Sequence, residues 1–379
     1  MPPAPPVPSH APGPVPAFVP ASVPPWATLL QSVQGVNKSR NQDYCEVQGR
    51  GTAEEPLIMA VADGHGSAAH ARSHLGSRFA VDLFVEEARR FGALAQPRGD
   101  ERPPSLAWLM HYAEHAFPRQ LVSAWREKVL GNWARNSSHE EPGLSEEHKV
   151  LLYGSTLVGA VLTPRVFAAW QLGDGELTVV DDAGRVTVPL APTEADLGDE
   201  TESLCTPEAW LRVRTHWAPV TAPSRAPRLV AVSTDGLSKS FASDRGFLQF
   251  MAGLDDRLST EGADSVRAVL PQWLARASQH SGDDTTLVAA WHQATPPAAG
   301  GPAAAPEPAV SRQPPADPEG ATEAASAAAP ATDPGTPAGP APDAGPDTAP
   351  DTAAAPVPDP ARPPATDPAP PTYPHGRDE

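Results

Sequence analysis

Three apolar runs of this sequence meet acidic residues set beside glycine. Leu57–Ala62 runs into Asp63-Gly64-His65-Gly66, and Leu229–Ser233 runs into Thr234-Asp235-Gly236. Ser281-Gly282-Asp283-Asp284-Thr285 leads into a last apolar run, Thr286–Trp291, and Lys38-Ser39-Arg40-Asn41-Gln42-Asp43 lies upstream of all three. An Asp-Gly pair after a strand ordinarily makes a turn, with Asp bonding its own backbone and Gly taking positive φ. Three such acidic strand ends in one chain point further, because strand ends are where a rigid scaffold presents functional groups. Carboxylates without nearby Cys or paired His suit a hard, oxygen-seeking ion such as Mg²⁺ or Mn²⁺ rather than Zn²⁺. From the residues alone, the chemistry is that of a carboxylate metal site.

The elements that must position these acids are short and apolar. Leu57–Ala62, Thr156–Leu162, Val166–Gln171, Glu176–Val180, Leu229–Ser233 and Thr286–Trp291 read as strands. Helical spacing instead marks Ala68, Ala71, Leu75, Phe79, Leu83 and Phe84, and again Leu106, Leu109, Met110, Ala113, Phe117 and Leu121, with a bend expected at Pro118. A third helix is expected around Val266, Val269, Leu270, Trp273 and Leu274. Helices clustered early, then a run of strands, argue for α+β rather than alternating α/β. His70 and His74, on the first helix, are expected to face solvent. Pro192–Trp217, whose first half is acidic, reads as a mobile surface insertion, and no basic neighbour close to Cys205 lowers the pKa of that thiol.

Composition sets the boundaries. Of 379 residues 49 are proline, far above the usual ~5%. Residues 1–25 hold 11 of them and 296–379 hold 24. The latter stretch has no Leu, Ile, Phe, Trp or Met and carries 12 acids against 3 Arg, so it cannot bury enough apolar surface to offset the entropy of ordering. The expected organisation is a disordered Pro-rich segment over 1–25, one folded domain over 26–293, and a disordered Ala/Pro/Asp-rich tail over 294–379. The tail reads first as a solvated, self-repelling chain and second as a docking or phosphorylatable segment. A net charge of −18 argues against a nucleic-acid partner. Two cysteines, Cys45 and Cys205, fit a reducing cytosol. With no run of about 20 apolar residues and no signal-peptide pattern, a cytoplasmic protein away from the membrane is expected.

Taken in order, the motifs RNQD, ADGHGS, GST, GDG, STDGL and GDDTT, between Ser32 and about Trp291, resemble the metal-dependent protein phosphatases of the 2C (PPM) family, bacterial type. The resemblance implies a sandwich of two antiparallel β-sheets flanked by helices on both sides, with metals in a cleft at one end. It implies hydrolysis of phosphoserine and phosphothreonine in proteins by a hydroxide held between two ions, Mn²⁺ or Mg²⁺, with a weaker third ion. The expected partners are phosphorylated proteins, including a Ser/Thr kinase or its substrates, and the expected state is a monomer.

The same resemblance assigns residues. Asp63 matches the bridging aspartate and the Gly64 carbonyl a ligand of one ion, while Asp235 and Asp283 match ligands of the other. Asp284 falls where the family pattern has Asn. Asp43 matches an acid beside the bridging water, and Lys38 falls where an arginine usually grips the substrate phosphate. Gln42 falls where a glutamate commonly serves the metal through water. His65 matches a histidine proposed as general acid, and Asp174 matches an aspartate holding the third ion, with Lys239 where some members add another acid. The departures at Lys38 and Gln42 keep a second expectation open, a non-catalytic scaffold binding phosphoproteins or kinases. A third expectation is a phosphatase of small phosphorylated molecules.

Overall fold

The computed structural model describes residues 26–96, 102–137, 143–191, 202–220 and 226–292. The Pro-rich segments 1–25 and 294–379 lie outside the described residues, as does the first part of the expected insertion, 192–201. The described residues form ten strands: β1 (Ala27–Val33), β2 (Tyr44–Gln48), β3 (Leu57–Ala62), β4 (Leu157–Leu162), β5 (Val166–Leu172), β6 (Glu176–Val180), β7 (Val186–Thr187), β8 (Arg214–Pro219), β9 (Leu229–Ser233) and β10 (Thr285–Trp291). Between β3 and β4 come α1 (Ser73–Ala95), α2 (Leu106–His111), α3 (Phe117–Asn136) and α4 (Glu146–Leu151). Between β9 and β10 come the single turn α5 (Asp235–Ser238) and the longer α6 (Asp244–Glu261) and α7 (Ala263–Ser281).

The strands make two five-stranded antiparallel sheets, ordered β1-β10-β9-β6-β7 and β2-β3-β4-β5-β8. This is the two-sheet sandwich with flanking helices that the resemblance implies. Alternate residues of β3 explain the layering: Leu57, Met59 and Val61 point between the sheets toward Leu177, Val230, Val232 and Val288. Ile58, Ala60 and Ala62 point the other way, under Val81, Phe84 and Val85 of α1. Both faces of the strand are covered, so it reads as a continuous apolar run instead of alternating with polar residues. On the far side, Phe247, Met251 and Leu254 of α6 and Leu270 and Leu274 of α7 cover Leu229, Ala231, Leu287 and Ala289. No helix among the described residues is long and apolar enough to cross a membrane.

Four departures from the sequence expectations have physical reasons. Proline lacks the N–H that a helix interior needs, and here the adjustment precedes Pro118 as a wide turn over Tyr112–Ala116. The first helix starts at Ser73, not Ala68, and Ala68–His70 forms a separate tight turn. That folds His70 back onto the chain, its Nδ1 2.5 Å from the Leu151 carbonyl, while His74 meets the Arg40 guanidinium at 2.5 Å, so neither ring simply faces solvent. The described part of the expected insertion is built into the sheet: Leu204 is buried and β8 pairs with β5 along Gln171↔Arg214 to Val166↔Pro219. The Cys205 thiol there is shifted up chiefly by burial, in keeping with an unreactive side chain.

Candidate metal centre

The ends of three strands deliver the acids to one place. Asp63 follows β3, Asp235 opens α5 directly after β9, and Asp283 stands two residues before β10. Antiparallel pairing of β10 with β9, in the register Leu287↔Ser233, sets the Asp283 turn beside the Asp235 turn. Contacts between the sheets bring in Asp63. One carboxylate oxygen from each of Asp63, Asp235 and Asp283 lies within 4.8 Å of the others.

Local bonding fixes each turn. The Asp63 N–H donates to the Thr156 hydroxyl at 3.1 Å, and the Thr156 N–H donates back to the Asp63 carbonyl at 2.8 Å. Gly64 donates to the Gln42 carbonyl at 3.1 Å, and a Cβ at this position would stand 2.8 Å from Ser73 backbone atoms, so only glycine fits. The His65 N–H donates to the Gly154 carbonyl at 3.1 Å. A side chain on Gly154 would strike the His70 and His65 rings, at 2.5 and 2.8 Å. The Gly154-Ser155-Thr156 motif therefore makes the space in which the Asp63-Gly64-His65 turn lies.

Asp43 is buried beside the cluster. Its Oδ2 accepts from the hydroxyls of Thr234, at 2.8 Å, and Thr286, at 2.7 Å, while Oδ1 has no hydrogen-bond partner. Burial pushes its carboxyl up to about 7, against the pull of the two hydroxyls and with Asp284 and Asp235 adding repulsion. Burial likewise raises Asp63 well above the carboxylate range, reinforced by Asp43, Asp235 and Asp283. Asp235 is pushed up to about 6, by burial first and then by Asp174. Its Oδ1 also has no partner. Acids held above their ordinary range by burial and each other, with two oxygens unpartnered, form a cage short of positive charge. The donor set is all oxygen, which suits a divalent hard cation.

Two lysines supply part of that charge. The Lys38 ammonium lies 2.5 Å from Asp283, 3.9 Å from Asp284 and 3.5 Å from the Gln42 side-chain oxygen. Burial disfavours its charge, but Asp283 and then Asp284 more than compensate and lift its pKa above the ordinary lysine value. At the opposite end the Lys239 ammonium contacts Asp235 and lies 3.3 Å from Asp174.

The remaining sequence candidates divide clearly. Asp284 is fully buried, and its two oxygens accept from the N–H groups of Gly35 and Gln42, each at 2.8 Å. That carboxylate ties the Lys38 loop to the Asp283 turn and leaves Asp283 as the outward-facing acid of the pair. Gln42 bonds the His65 carbonyl at 3.0 Å and the Ser73 hydroxyl at 2.6 Å, and so braces the same turn. The His65 ring packs 4.8 Å from His70 and is pushed down to about 4, by burial and then by His70, with Asp174 opposing. One acid not expected from sequence joins the group: Glu176, pushed up to about 8 by burial and then by Asp235 and Asp174, with Ser238 and Ser233 pulling down. Its place directly after Gly173-Asp174-Gly175 was the available signal. Thr234 and Thr286 had a weaker one, since only strand pairing shows that both hydroxyls converge on Asp43.

A sequence profile of the protein phosphatase 2C family matches residues 34–275, a stretch that contains Lys38, Asp43, Asp63, Asp174 and Asp235. The chain belongs to that family. Among solved structures, the phosphatase is similar to the catalytic domain of serine threonine protein phosphatase PstP in complex with two manganese ions, at 17% identity and a TM-score of 0.46, covering 70% of this chain and 98% of that one. It is similar to the serine/threonine phosphatase Stp1 from Staphylococcus aureus at 12% identity and a TM-score of 0.46, covering 73% and 97%. It is also similar to PppA, described as a key regulatory component of T6SS in Pseudomonas aeruginosa, at 18% identity and a TM-score of 0.43, covering 72% and 99%. No curated protein matches the chain. Family membership makes this phosphatase a metal-binding hydrolase that acts on phosphoproteins.

Proposed function

We propose that this phosphatase removes phosphate from phosphoserine and phosphothreonine in proteins, using two ions of Mn²⁺ or Mg²⁺. The observation that carries the reading is the convergence of Asp63, Asp235 and Asp283 from three strand ends to within 4.8 Å, in a chain of this family. Asp63, the Gly64 carbonyl, Asp235 and Asp283 would hold the ions, and Asp174 a third, weaker one. When bound, such ions lower the pKa of a water and neutralise phosphoryl oxygens.

The chain's own residues have separable tasks. Asp43, buried beside the cluster and carrying an unpartnered Oδ1, is placed to accept a proton from a water held there. Lys38, its side chain 23% exposed, can turn from Asp283 toward a substrate phosphate, as a point charge without the bidentate fork of arginine. His65 is neutral in the free enzyme, so it would protonate a leaving serine or threonine oxygen only after gaining a proton beside the phosphate dianion. The folded domain is assigned to 26–293, and the substrates to a Ser/Thr kinase or its targets. The enzyme is assigned as a cytoplasmic monomer. Two free, half-buried cysteines fit a reducing compartment.

One observation favours a second reading. The Lys38 and Lys239 ammoniums pair with acids of the cluster and partly neutralise it, as a phosphoprotein-binding scaffold that holds no ion would require. Hydrolysis of a phosphothreonine peptide and of p-nitrophenyl phosphate, with Mn²⁺ and with EDTA, separates the readings. Turnover that stops on chelation, returns with Mn²⁺ and disappears in Asp63→Asn supports the enzyme. Activity indifferent to both EDTA and Asp63→Asn refutes the metal mechanism, and the absence of any activity with Mn²⁺ bound supports the scaffold.

A further inference from the structure

Behind the carboxylate cluster, on the far side of α5, the helices leave a cleft of about 380 Å³. Its walls are the half-buried rings of Phe241, Phe250 and Trp273, with Leu237 of α5 at its inner end. Phe250 stands 5.5 Å from Phe241 and edge-on to Trp273 at 6.2 Å. The rim is basic: Arg257, Arg276 and His280 line the mouth. The Arg257 guanidinium lies over the Trp273 ring at 5.2 Å and pairs with Glu261 at 3.3 Å, and Arg276 is exposed. The size, the aromatic walls and the few polar groups at the mouth match the anatomy of a small-molecule site, ~300–1,000 Å³.

A glycine in the wall adds an independent mark. Gly253 lies in the interior of α6 and lines the cleft, and a Cβ built on it meets nothing within 4 Å. Glycine in a helix interior is destabilising relative to alanine. No packing contact here requires it. Its effect is to keep that wall of the cleft open.

We propose that this cleft is a second ligand site of the phosphatase, and that it takes a small amphipathic anion, an aromatic body carrying a carboxylate or sulfonate. The body lies against Phe241, Phe250 and Trp273, and the anionic group meets Arg276 and Arg257. Charge complementarity selects the anion, and a volume of about 380 Å³ limits the ligand to a small molecule. The site is placed to regulate. Leu237 belongs to the same turn of helix as Asp235, and the Ser240 hydroxyl, also on the wall, donates to the Leu237 carbonyl at 2.6 Å. Lys239, between these two wall residues, contacts Asp235 on the other side. A ligand that shifts α5 therefore moves an acid of the metal centre, and by linkage the metal and the ligand alter each other's affinity equally. This coupling rests on the proposed metal role of Asp235, whereas occupancy of the cleft does not.

The test uses the full chain and 8-anilinonaphthalene-1-sulfonate as a fluorescent probe, first in EDTA. Saturable binding at one site is expected, displaced by 2-naphthylacetate about tenfold better than by the neutral 2-naphthylethanol, as a charge-assisted contact requires. Gly253→Leu, which fills the cleft from a position with free space, and Arg276→Glu, a surface change, should each weaken the probe by about tenfold or more. Circular dichroism and melting temperature establish that each variant is folded, and Arg276→Glu decides the matter if Gly253→Leu does not fold. Probe binding unchanged in a folded variant overturns the site. Mn²⁺ titration with the cleft saturated then tests the coupling. A changed Mn²⁺ affinity supports it, and an unchanged affinity overturns the regulatory role, while failure of Mn²⁺ to bind at all refutes the metal reading and leaves the cleft standing.

Discussion

Replacing Asp43 by asparagine should stabilise the metal-free protein, and by an amount that grows with pH. In the unfolded chain this carboxyl ionises near 3.8, whereas in the fold burial raises it to about 7. Between these values the folded state holds a proton that the unfolded state has released, so stability falls as pH rises and levels off above about pH 8. The interval corresponds to about 4 kcal/mol at about 1.4 kcal/mol per pH unit. Asparagine reproduces the protonated acid in shape and keeps an oxygen for the Thr234 and Thr286 hydroxyls, so Asp43→Asn escapes the penalty. Near pH 4 the two proteins should melt together. At pH 8 in EDTA the variant should be ahead by up to about 4 kcal/mol, or roughly 8–16 °C for a domain of this size. Scanning calorimetry across that range is the assay. Adding Mn²⁺ should lift the wild type most at high pH, because the ion replaces the missing protons. A variant whose advantage is flat with pH, or that melts lower than wild type at pH 8, would refute the account of the cluster as a cage short of positive charge.

Other expectations follow from single contacts. Asp174→Ala should lower turnover at saturating Mn²⁺ while calorimetry still finds the tighter sites filled, because Asp174 lies at the edge of the cluster, against Lys239 and Asp235; loss of the tightest site would contradict this. His65→Ala should slow a phosphothreonine peptide by about 10²-fold or more yet spare p-nitrophenyl phosphate, whose leaving group needs no proton; equal losses on both would make His65 structural. Gly76→Ala should destabilise by about 3 kcal/mol or more on thermal melting, since its Cβ would stand 1.7 Å from the Tyr153 carbonyl oxygen, and a wild-type melting curve would show that α1 can shift away. Removing 294–379 should leave the melting temperature and aryl phosphate turnover within error of the full chain; a large drop in either would move the domain boundary.

The parts of the fold legible in sequence were those buried on both faces. β3, β4, β5, β9 and β10 are unbroken apolar runs because helices cover one side and the opposite sheet the other. β1, β2 and β8 are half-buried edge or near-edge strands such as Arg214–Pro219, whose polar residues hide their period. Helix α6 carried a readable stripe, Phe247, Met251, Leu254 and Leu258, behind a Ser243 cap, yet it was not among the expected helices. In the metal centre, Asp63, Asp235 and Asp283 announce themselves by type and by place at strand ends. Asp284 and Glu176 do not, because their roles depend on which backbone amides and acids the topology brings near them. The same holds for the lysines: Lys38 and Lys239 read as departures from a family pattern, and only the packing shows each against a carboxylate.

The place of β10 has a consequence for how the enzyme comes into being. Among the described residues it is the last strand in sequence, yet it lies inside its sheet, between β1 and β9. Until residues 283–291 have left the ribosome, β1 has no neighbour, the Asp43 carboxylate lacks the Thr286 hydroxyl and Asp283 is missing altogether. On the proposed role of Asp283 as a metal ligand, a nascent chain halted anywhere earlier is incapable of the chemistry, however well the other sheet has formed. Long-range pairing of this kind also slows folding, since the ends of the domain must find each other first. On that role, translation must pass the end of β10 before dephosphorylation can begin.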